Sequence, residues 1–127
     1  MKVKINTKEK FHAITLFGPG ISATMTEELS SGLLPYLHND VKNVVLILKD
    51  IESIDEAAAK ALVNIQQKFY ECKASFVLCE LQKPVLESLA KSGLTGSLHI
   101  TPTESEAWDI VQMEEIEREF LAEDGDL

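Results

Sequence analysis

The run VVLIL at 44–48 constrains the fold of this 127-residue chain more than any other segment. Its side chains are all apolar, so both faces of a strand built from it would be apolar. Strands of this kind lie in parallel sheets that carry helices on both sides. The segment SFVLCEL at 75–81 predicts a second buried strand. Together the two runs predict an α/β domain, with 44–48 as its central strand.

Strand-like and helical segments alternate along the rest of the chain. The β-rich segments at 2–6 and 11–17 are joined by the short turn TKEK, which predicts an antiparallel hairpin with a half-buried first strand. LHI at 98–100 predicts a last, short strand. The element order is therefore β-β-α-β-α-β-α-β-α. This order predicts a mixed, mostly parallel sheet with right-handed crossovers and an extended C-terminal helix.

Capping residues and prolines predict where the helices begin and end. The S/T-x-x-E spacing of a capping box occurs at Thr24 with Glu27, at Ser53 with Glu56 and at Thr103 with Glu106. Pro35 has no amide donor, so we expect an interruption of the first helix between 31 and 36. Pro84 and Gly93 are typical of the first turn and of the end of the third helix.

The C-terminal helix leads into a strongly acidic end. Between 114 and 126 the chain has seven acidic residues and one basic residue, Arg118. We therefore expect one domain at 1–118 and a disordered, solvent-facing acidic tail at 119–127. Trp108 is expected to anchor this helix on the sheet. Three apolar residues lie past the expected body of the domain and are candidates for a homodimer contact: Ile116, Phe120 and Leu121.

The acidic composition excludes some classes of partner. A net charge of −9, from 21 acidic and 12 basic side chains, repels the phosphates of nucleic acids and of anionic membranes. We find neither a signal peptide nor a segment apolar enough to span a membrane, so we expect a cytoplasmic protein without membrane insertion. Cys72 and Cys79 lack metal-ligand spacing, so we expect reduced thiols, no metal and no cofactor.

The common catalytic and nucleotide-binding motifs are absent from the sequence. It contains no G-x-x-x-x-G-K-[ST], G-x-G-x-x-G, G-x-S-x-G or H-E-x-x-H pattern. We therefore expect a protein that is not an enzyme. The alternative, a small α/β enzyme, would require a deep pocket lined by His12, Asp55 or Cys79.

The segment SIDEAAAKAL at 53–62 is the most informative feature that remains. It follows the central strand and begins a helix, at the edge of the sheet where α/β proteins place their sites. The free N–H groups and the positive dipole of a helix start favour a negatively charged group. The plain structural explanation is a well-capped helix, because Asp55 alone could cap it.

The order and spacing of these segments resemble the STAS domain of bacterial anti-sigma factor antagonists. The resemblance covers residues 1 to about 115 and rests on three quoted stretches together with the helix and strand between them. These stretches are LFGPG at 16–20, VVLILKDIESID at 44–55 and VLESLAKSGLTGSLHITPTESEAW at 85–108. The resemblance implies the STAS fold and a non-enzymatic domain that interacts with other proteins.

The family's phosphorylation motif is degenerate in this sequence. In the family the segment usually reads D-S-S-G-L or D-T-S-G-L, and a partner kinase that is also an anti-sigma factor phosphorylates a serine or threonine in it. The aspartate corresponds to Asp55, the next position to Glu56, the acceptor to Ala57 and the glycine to Ala58. Alanine has no hydroxyl, so the usual acceptor is missing and Ser53 is the weak candidate that remains. Ile21 also departs from the family, since many members have an aspartate there.

The resemblance implies that a regulatory protein binds the loop and helix start at 53–62, and the partner class it indicates is an anti-sigma factor serine kinase. Glu56 would supply one fixed negative charge there, where a phosphoserine carries nearly two. An alternative is a cytoplasmic component of a transport or lipid-trafficking system, because relatives of the fold serve in such systems. The candidate partner-binding residues are Ser53, Asp55, Glu56, Ala57, Ala58 and Lys60.

Overall fold

The computed structural model describes the backbone of residues 2–125 and the side chains of residues 2–121. Within that range the strands and α-helices alternate as the hydrophobic pattern predicts, with two additional short strands. The elements are β1 Lys2–Thr7, β2 His12–Phe17, β3 Gly20–Ile21, α1 Thr26–Leu33, β4 Val44–Ile47, β5 Ser53–Ile54, α2 Glu56–Glu71, β6 Phe76–Cys79, α3 Lys83–Lys91, β7 Ile100–Thr101 and α4 Glu104–Gly125.

Five strands form the main sheet in the order β1-β2-β4-β6-β7. β1 pairs with β2 in antiparallel orientation, and the other neighbours pair in parallel. The predicted hairpin and the mostly parallel α/β sheet are therefore confirmed. β4 lies at the centre of the sheet, and all four of its residues are buried. The prediction that 44–48 contains the central strand is also confirmed.

The alternating side chains of β4 explain why VVLIL is apolar throughout. Val44, Leu46 and Leu48 belong to the larger core cluster, which α1, α2 and α3 cover on one face of the sheet. Val45 and Ile47 point to the other face, where they pack with α4. Each face of the strand therefore contributes to a separate hydrophobic core, as expected for a strand that is covered on both sides.

The edge strand β1 differs from its prediction. We expected a half-buried strand, but all six residues of β1 are exposed. Val3 is 45% and Ile5 51% exposed, although both are apolar. The reason is that β1 lies at the edge of the sheet, where Val3 and Ile5 line an open cavity beside α1 and do not pack closely against it. Alternation of polar and apolar residues predicts a strand but not how closely a helix packs on it.

Two of the three predicted capping boxes are wrong. Thr24 lies in a 3₁₀ turn, Ala23–Met25, and its hydroxyl hydrogen-bonds with the Ser22 hydroxyl at 2.8 Å, so α1 begins only at Thr26. Ser53 lies in β5, not at the start of α2. The third box is supported, because the Glu106 amide donates to Thr103 Oγ1 at 3.2 Å.

The expected helix breaks occur at the proline and glycine positions. α1 ends at Leu33, and Pro35 lies in the first turn of the 3₁₀ segment Leu34–His38 that follows. At the other break, Gly93 follows α3 with a φ of +70°, a conformation that glycine adopts without strain. The last strand was predicted at 98–100. In the structure β7 is Ile100–Thr101, so it starts two residues later than predicted.

The C-terminal helix is longer than expected. α4 runs past the predicted boundary at 118 to Gly125, so the segment from 119 to 125 is helical and not a disordered tail. Asp126 and Leu127 lie outside the described residues, and the division into a domain and a tail stays a prediction. The Trp108 ring packs 5.1 Å from the Phe11 ring, centroid to centroid, against the smaller core cluster. This contact agrees with its expected role as an anchor.

Candidate partner-binding surface

A second, two-stranded sheet positions the segment after β4. β3 and β5 pair in parallel, with Gly20 opposite Ser53 and Ile21 opposite Ile54. Two further backbone bonds extend this pairing, from the Ser53 amide to the Pro19 carbonyl at 3.2 Å and from the Asp55 amide to the Ile21 carbonyl at 2.9 Å. Sequence reasoning missed these strands because two residues each are too few to show a period.

Gly20 allows the close approach of these two strands. A Cβ atom at this position would lie 2.5 Å from Ser53 Oγ and 3.3 Å from the Ser53 carbonyl oxygen. Both distances are shorter than ordinary van der Waals contact, so a side chain at Gly20 requires the Ser53 hydroxyl to rotate away and the backbone of β5 to shift slightly. The glycine of the GPG turn is therefore a positioning residue for the helix start, a role that its place in the turn does not indicate.

Asp55 joins the helix start to the loop after β3. It occupies the N-cap position of α2, with extended φ and ψ of −77° and 154°, and its carbonyl accepts the first helical bond from Ala59. Its carboxylate does not cap its own helix. Asp55 Oδ2 accepts a hydrogen bond from the Ala23 amide at 3.0 Å. The expected cap position is confirmed, but the side chain connects two segments that are 32 residues apart.

Glu56, Ala57 and Lys60 lie on the exposed side of the first turns of α2. Glu56 and Lys60 form an i,i+4 ion pair at 3.4 Å, with side chains 62% and 63% exposed. Pairs that are this exposed contribute little to stability, so both charged groups remain available to a partner. Ala57 adds an exposed methyl group between them and no hydroxyl.

Ala58 must be removed from the predicted partner-binding set. It is fully buried in the larger core cluster, on the same helix face as Leu62 and Ile65. Residues four apart lie on one side of a helix, so a residue that aligns with Leu62 faces the sheet and not the solvent. The residues that remain are exposed and adjacent, and we call them the α2 N-terminal surface: Ser53, Asp55, Glu56, Ala57 and Lys60.

His12 and Cys79, two of the three residues of the enzyme alternative, do not come together. In the strand register His12 lies opposite Val44, whereas Cys79 lies opposite Ile47, three positions further along β4. His12 Nε2 bonds the Val41 carbonyl at 2.9 Å, so this nitrogen donates. Burial raises the pKa of the Cys79 thiol to about 12, which keeps it protonated at neutral pH.

The described residues offer neither a cluster of metal ligands nor a helix that could span a membrane. Among residues 2–125 we find no group of three or more histidine, cysteine or acidic side chains arranged to hold a metal ion. None of the helices in this part of the chain combines the length and the apolar character that crossing a bilayer requires.

A single substitution tests how Gly20 positions this surface. Gly20→Ala is expected to lower the free energy of unfolding by about 1–3 kcal/mol, because the new methyl group overlaps Ser53 Oγ. Adding Ser53→Ala removes that oxygen and should restore most of the loss. Urea unfolding of the single and double variants measures the coupling. The matched control is Gly32→Ala in α1, where nothing lies within 4 Å of an added Cβ. Additive effects of the two substitutions would contradict this contact.

Comparisons with known proteins support the fold described above. The family model described as "STAS domain" matches residues 2–107. No curated protein matches the sequence.

The solved structures that share the fold at low identity include two bacterial proteins and one much larger transporter. A putative anti-sigma factor antagonist from Thermotoga maritima is 20% identical, with a TM-score of 0.73, over 87% of this chain and 94% of the other. The phosphorylated Bacillus cell fate determinant SpoIIAA is 14% identical, with a TM-score of 0.62, over 87% and 99%.

The third structure belongs to a much larger protein. The murine anion transporter Solute Carrier 26 family member A9 is 14% identical, with a TM-score of 0.69, over 82% of this chain and 18% of the transporter. At these identities the likeness of the structures concerns the fold alone. The family model, in contrast, matches most of the sequence from β1 to the first turn of α4. The chain therefore belongs to the STAS domain family.

Proposed function

We propose that this STAS domain binds a regulatory protein through the α2 N-terminal surface and is not an enzyme. One observation carries the proposal. Asp55 and the β3–β5 pairing hold five exposed residues in a fixed arrangement at the carboxyl edge of the sheet. A preformed surface loses little conformational freedom on binding, which favours a stable contact. The fold is shared with anti-sigma factor antagonists, so an anti-sigma factor serine kinase is the partner class we propose.

The chemistry of this surface favours permanent binding over control by phosphorylation. Ala57 occupies the position of the family's acceptor and has no hydroxyl to accept a phosphate. Glu56 supplies a constant negative charge beside it, at the start of a helix whose dipole stabilises that charge. Ser53 is the adjacent hydroxyl and stays a candidate for modification. We therefore expect this protein to keep one binding state under conditions in which phosphorylation would change the binding of a relative.

Charge reversal at Glu56 tests the proposed surface. Glu56→Arg places a second positive group beside Lys60 and reverses the charge complementarity with a partner that fits the native surface. We expect one discrete partner to be lost, with its recovery in a pull-down from the native cytoplasm reduced about tenfold or more. Quantitative mass spectrometry of the captured proteins measures the loss.

The matched control reverses a charge on the same helix but far from the surface. Glu71→Arg changes an exposed residue at the last position of α2 and should leave the partner unchanged. Thermal unfolding of both variants verifies that they are folded. An identical partner list for Glu56→Arg and the native protein would place the binding site elsewhere.

A second candidate function is a component of a transport system. The observation that favours it is the fold shared with part of the murine anion transporter. The same pull-down separates the two functions, because a permease or a transport ATPase would replace the kinase among the captured proteins. A cytoplasmic location, a role in bacterial transcription regulation and a homodimer through the C-terminal helix all stay predictions.

A further inference from the structure

The outer face of α4 carries apolar side chains that the fold does not bury. Met113, Ile116 and Phe120 follow one another at i, i+3 and i+7 and are 55%, 65% and 64% exposed. Spacing of this kind places the side chains along one side of the helix, as in the seam of a coiled coil. We call these three residues the α4 stripe. Leu121 is also exposed, but it lies about 100° from Phe120 around the helix and is not part of the stripe.

The inner face of α4 is held by contacts that prevent the helix from turning the stripe inward. Val111 is fully buried against the sheet. Glu114 Oε2 accepts a hydrogen bond from the Tyr70 hydroxyl at 2.5 Å, and burial, together with this carboxylate, raises the pKa of Tyr70. Arg118 donates to the Ser75 hydroxyl at 3.0 Å. These residues point toward the domain, so the α4 stripe faces away from it.

The α4 stripe lies outside the part of the chain that the family shares. The STAS match ends at residue 107, whereas the stripe begins at Met113. The α2 N-terminal surface belongs to a helix that packs on the opposite face of the sheet from α4. The α4 stripe is therefore a second surface. It lies outside the residues that the family model matches and outside the α2 N-terminal surface.

The charges beside the α4 stripe select its partner. Glu117 and Glu119 occupy the positions that flank an apolar seam, where charged residues choose the partner helix. Arg118, the one basic residue in the α4 sequence, is turned inward to Ser75. A second copy of this helix would bring acidic flanks against acidic flanks, which is unfavourable. We propose that the α4 stripe binds a basic amphipathic helix of another protein, with an apolar seam flanked by lysine or arginine.

A designed peptide tests this proposal on the full chain. The probe is a fluorescent three-heptad helix with leucine at positions a and d and lysine at e and g. We expect it to bind the native protein, with an affinity that falls as salt is added. The double variant Ile116→Ser with Phe120→Ser should bind at least about tenfold more weakly, because it removes the centre of the apolar contact. Fluorescence anisotropy measures each affinity.

Three controls decide between the proposal and its competitors. The variant Val3→Ser with Ile5→Ser changes the other exposed apolar pair, on β1, and should bind as tightly as the native protein. Equal binding of the peptide to the α4 double variant would overturn the proposal, as would equal binding of a peptide with glutamate at e and g. Sedimentation that shows a native dimer, and a monomer for the α4 double variant, would also overturn it, since a second copy would then cover the stripe.

Discussion

Replacing Phe69 with alanine is expected to lower the free energy of unfolding by about 3–5 kcal/mol. Phe69 is fully buried on the inner face of α2, and its ring lies 5.0 Å from the Phe76 ring of β6, centroid to centroid. The substitution removes the aromatic contact and leaves a cavity between the helix and the sheet. Because domains of this size are stable by only about 5–15 kcal/mol, the variant should be close to unfolding. Urea denaturation monitored by circular dichroism measures the loss.

The same substitution at an exposed phenylalanine provides the control. Phe120 is 64% exposed on α4, so Phe120→Ala should change the free energy of unfolding by no more than about 0.5 kcal/mol. A loss for Phe69→Ala as small as the one for Phe120→Ala would mean that α2 does not depend on the Phe69–Phe76 contact. The comparison also bears on function, since α2 carries Glu56, Ala57 and Lys60 of the α2 N-terminal surface.

Replacing Asn43 with alanine is expected to cost about 2–4 kcal/mol. Asn43 is 5% exposed, and its side chain connects three segments at the amino ends of the strands. Its amide nitrogen donates to the Lys10 carbonyl at 2.9 Å, and its oxygen accepts from the amide of the fully buried Ser75 at 2.8 Å. Alanine leaves that buried N–H group unpaired and removes the partner of the carbonyl. Chemical denaturation gives the free energy.

Two further substitutions separate the hydrogen bonds of Asn43 from general disruption. Asn43→Asp keeps the acceptor for the Ser75 amide but loses the donor to Lys10, and it places a carboxylate near Glu115, so we expect an intermediate loss. The control Asn39→Ala changes an exposed asparagine and should have almost no effect. An effect of Asn43→Ala as small as that of Asn39→Ala would show that these bonds contribute little.

The two proposed surfaces would together give the acidity of this chain a function. The acidic residues are not spread evenly, since Glu117 and Glu119 border the α4 stripe while Glu56 marks the start of α2. A partner of the α2 N-terminal surface and a basic helix on α4 would each meet negative charge. If both proposals hold, the chain connects two proteins through separate interfaces. A pull-down with Glu56→Arg should then lose the first partner and leave binding of the basic helix unchanged.

Most of the fold could be predicted because hydrophobic pattern reflects burial directly. The run at 44–48 is apolar on both faces, and β4 indeed contributes to a core on each side of the sheet. The same holds for α2, whose buried residues from Ala58 to Phe69 recur at the spacing of one helix face. The hydrophobic pattern predicted the strand β1 correctly but not its burial, because the apolar residues of β1 are exposed. Exposure there depends on where the helices end, which local sequence does not encode.

The position of the candidate site in the chain could be predicted, but the contacts that hold it together could not. The resemblance placed it at 53–62, and the structure assigns Asp55 the cap position there. The Asp55 carboxylate, however, bonds the Ala23 amide, a contact across 32 residues that no capping motif describes. Gly20 likewise acts through Ser53 of a distant strand. Both contacts depend on how β3 and β5 come together.

The sequence by itself determined the order of strands and helices along the chain, the inward face of α2 and the missing hydroxyl at Ala57, because each depends on the chemistry of residues near one another in the chain. The tertiary structure alone decided that Asp55 reaches Ala23, that Gly20 lies against Ser53 and that the α4 stripe faces outward. The physical reason is the same in each case. Such features depend on distances between segments far apart in sequence, and those distances exist only once the sheet and helices have packed.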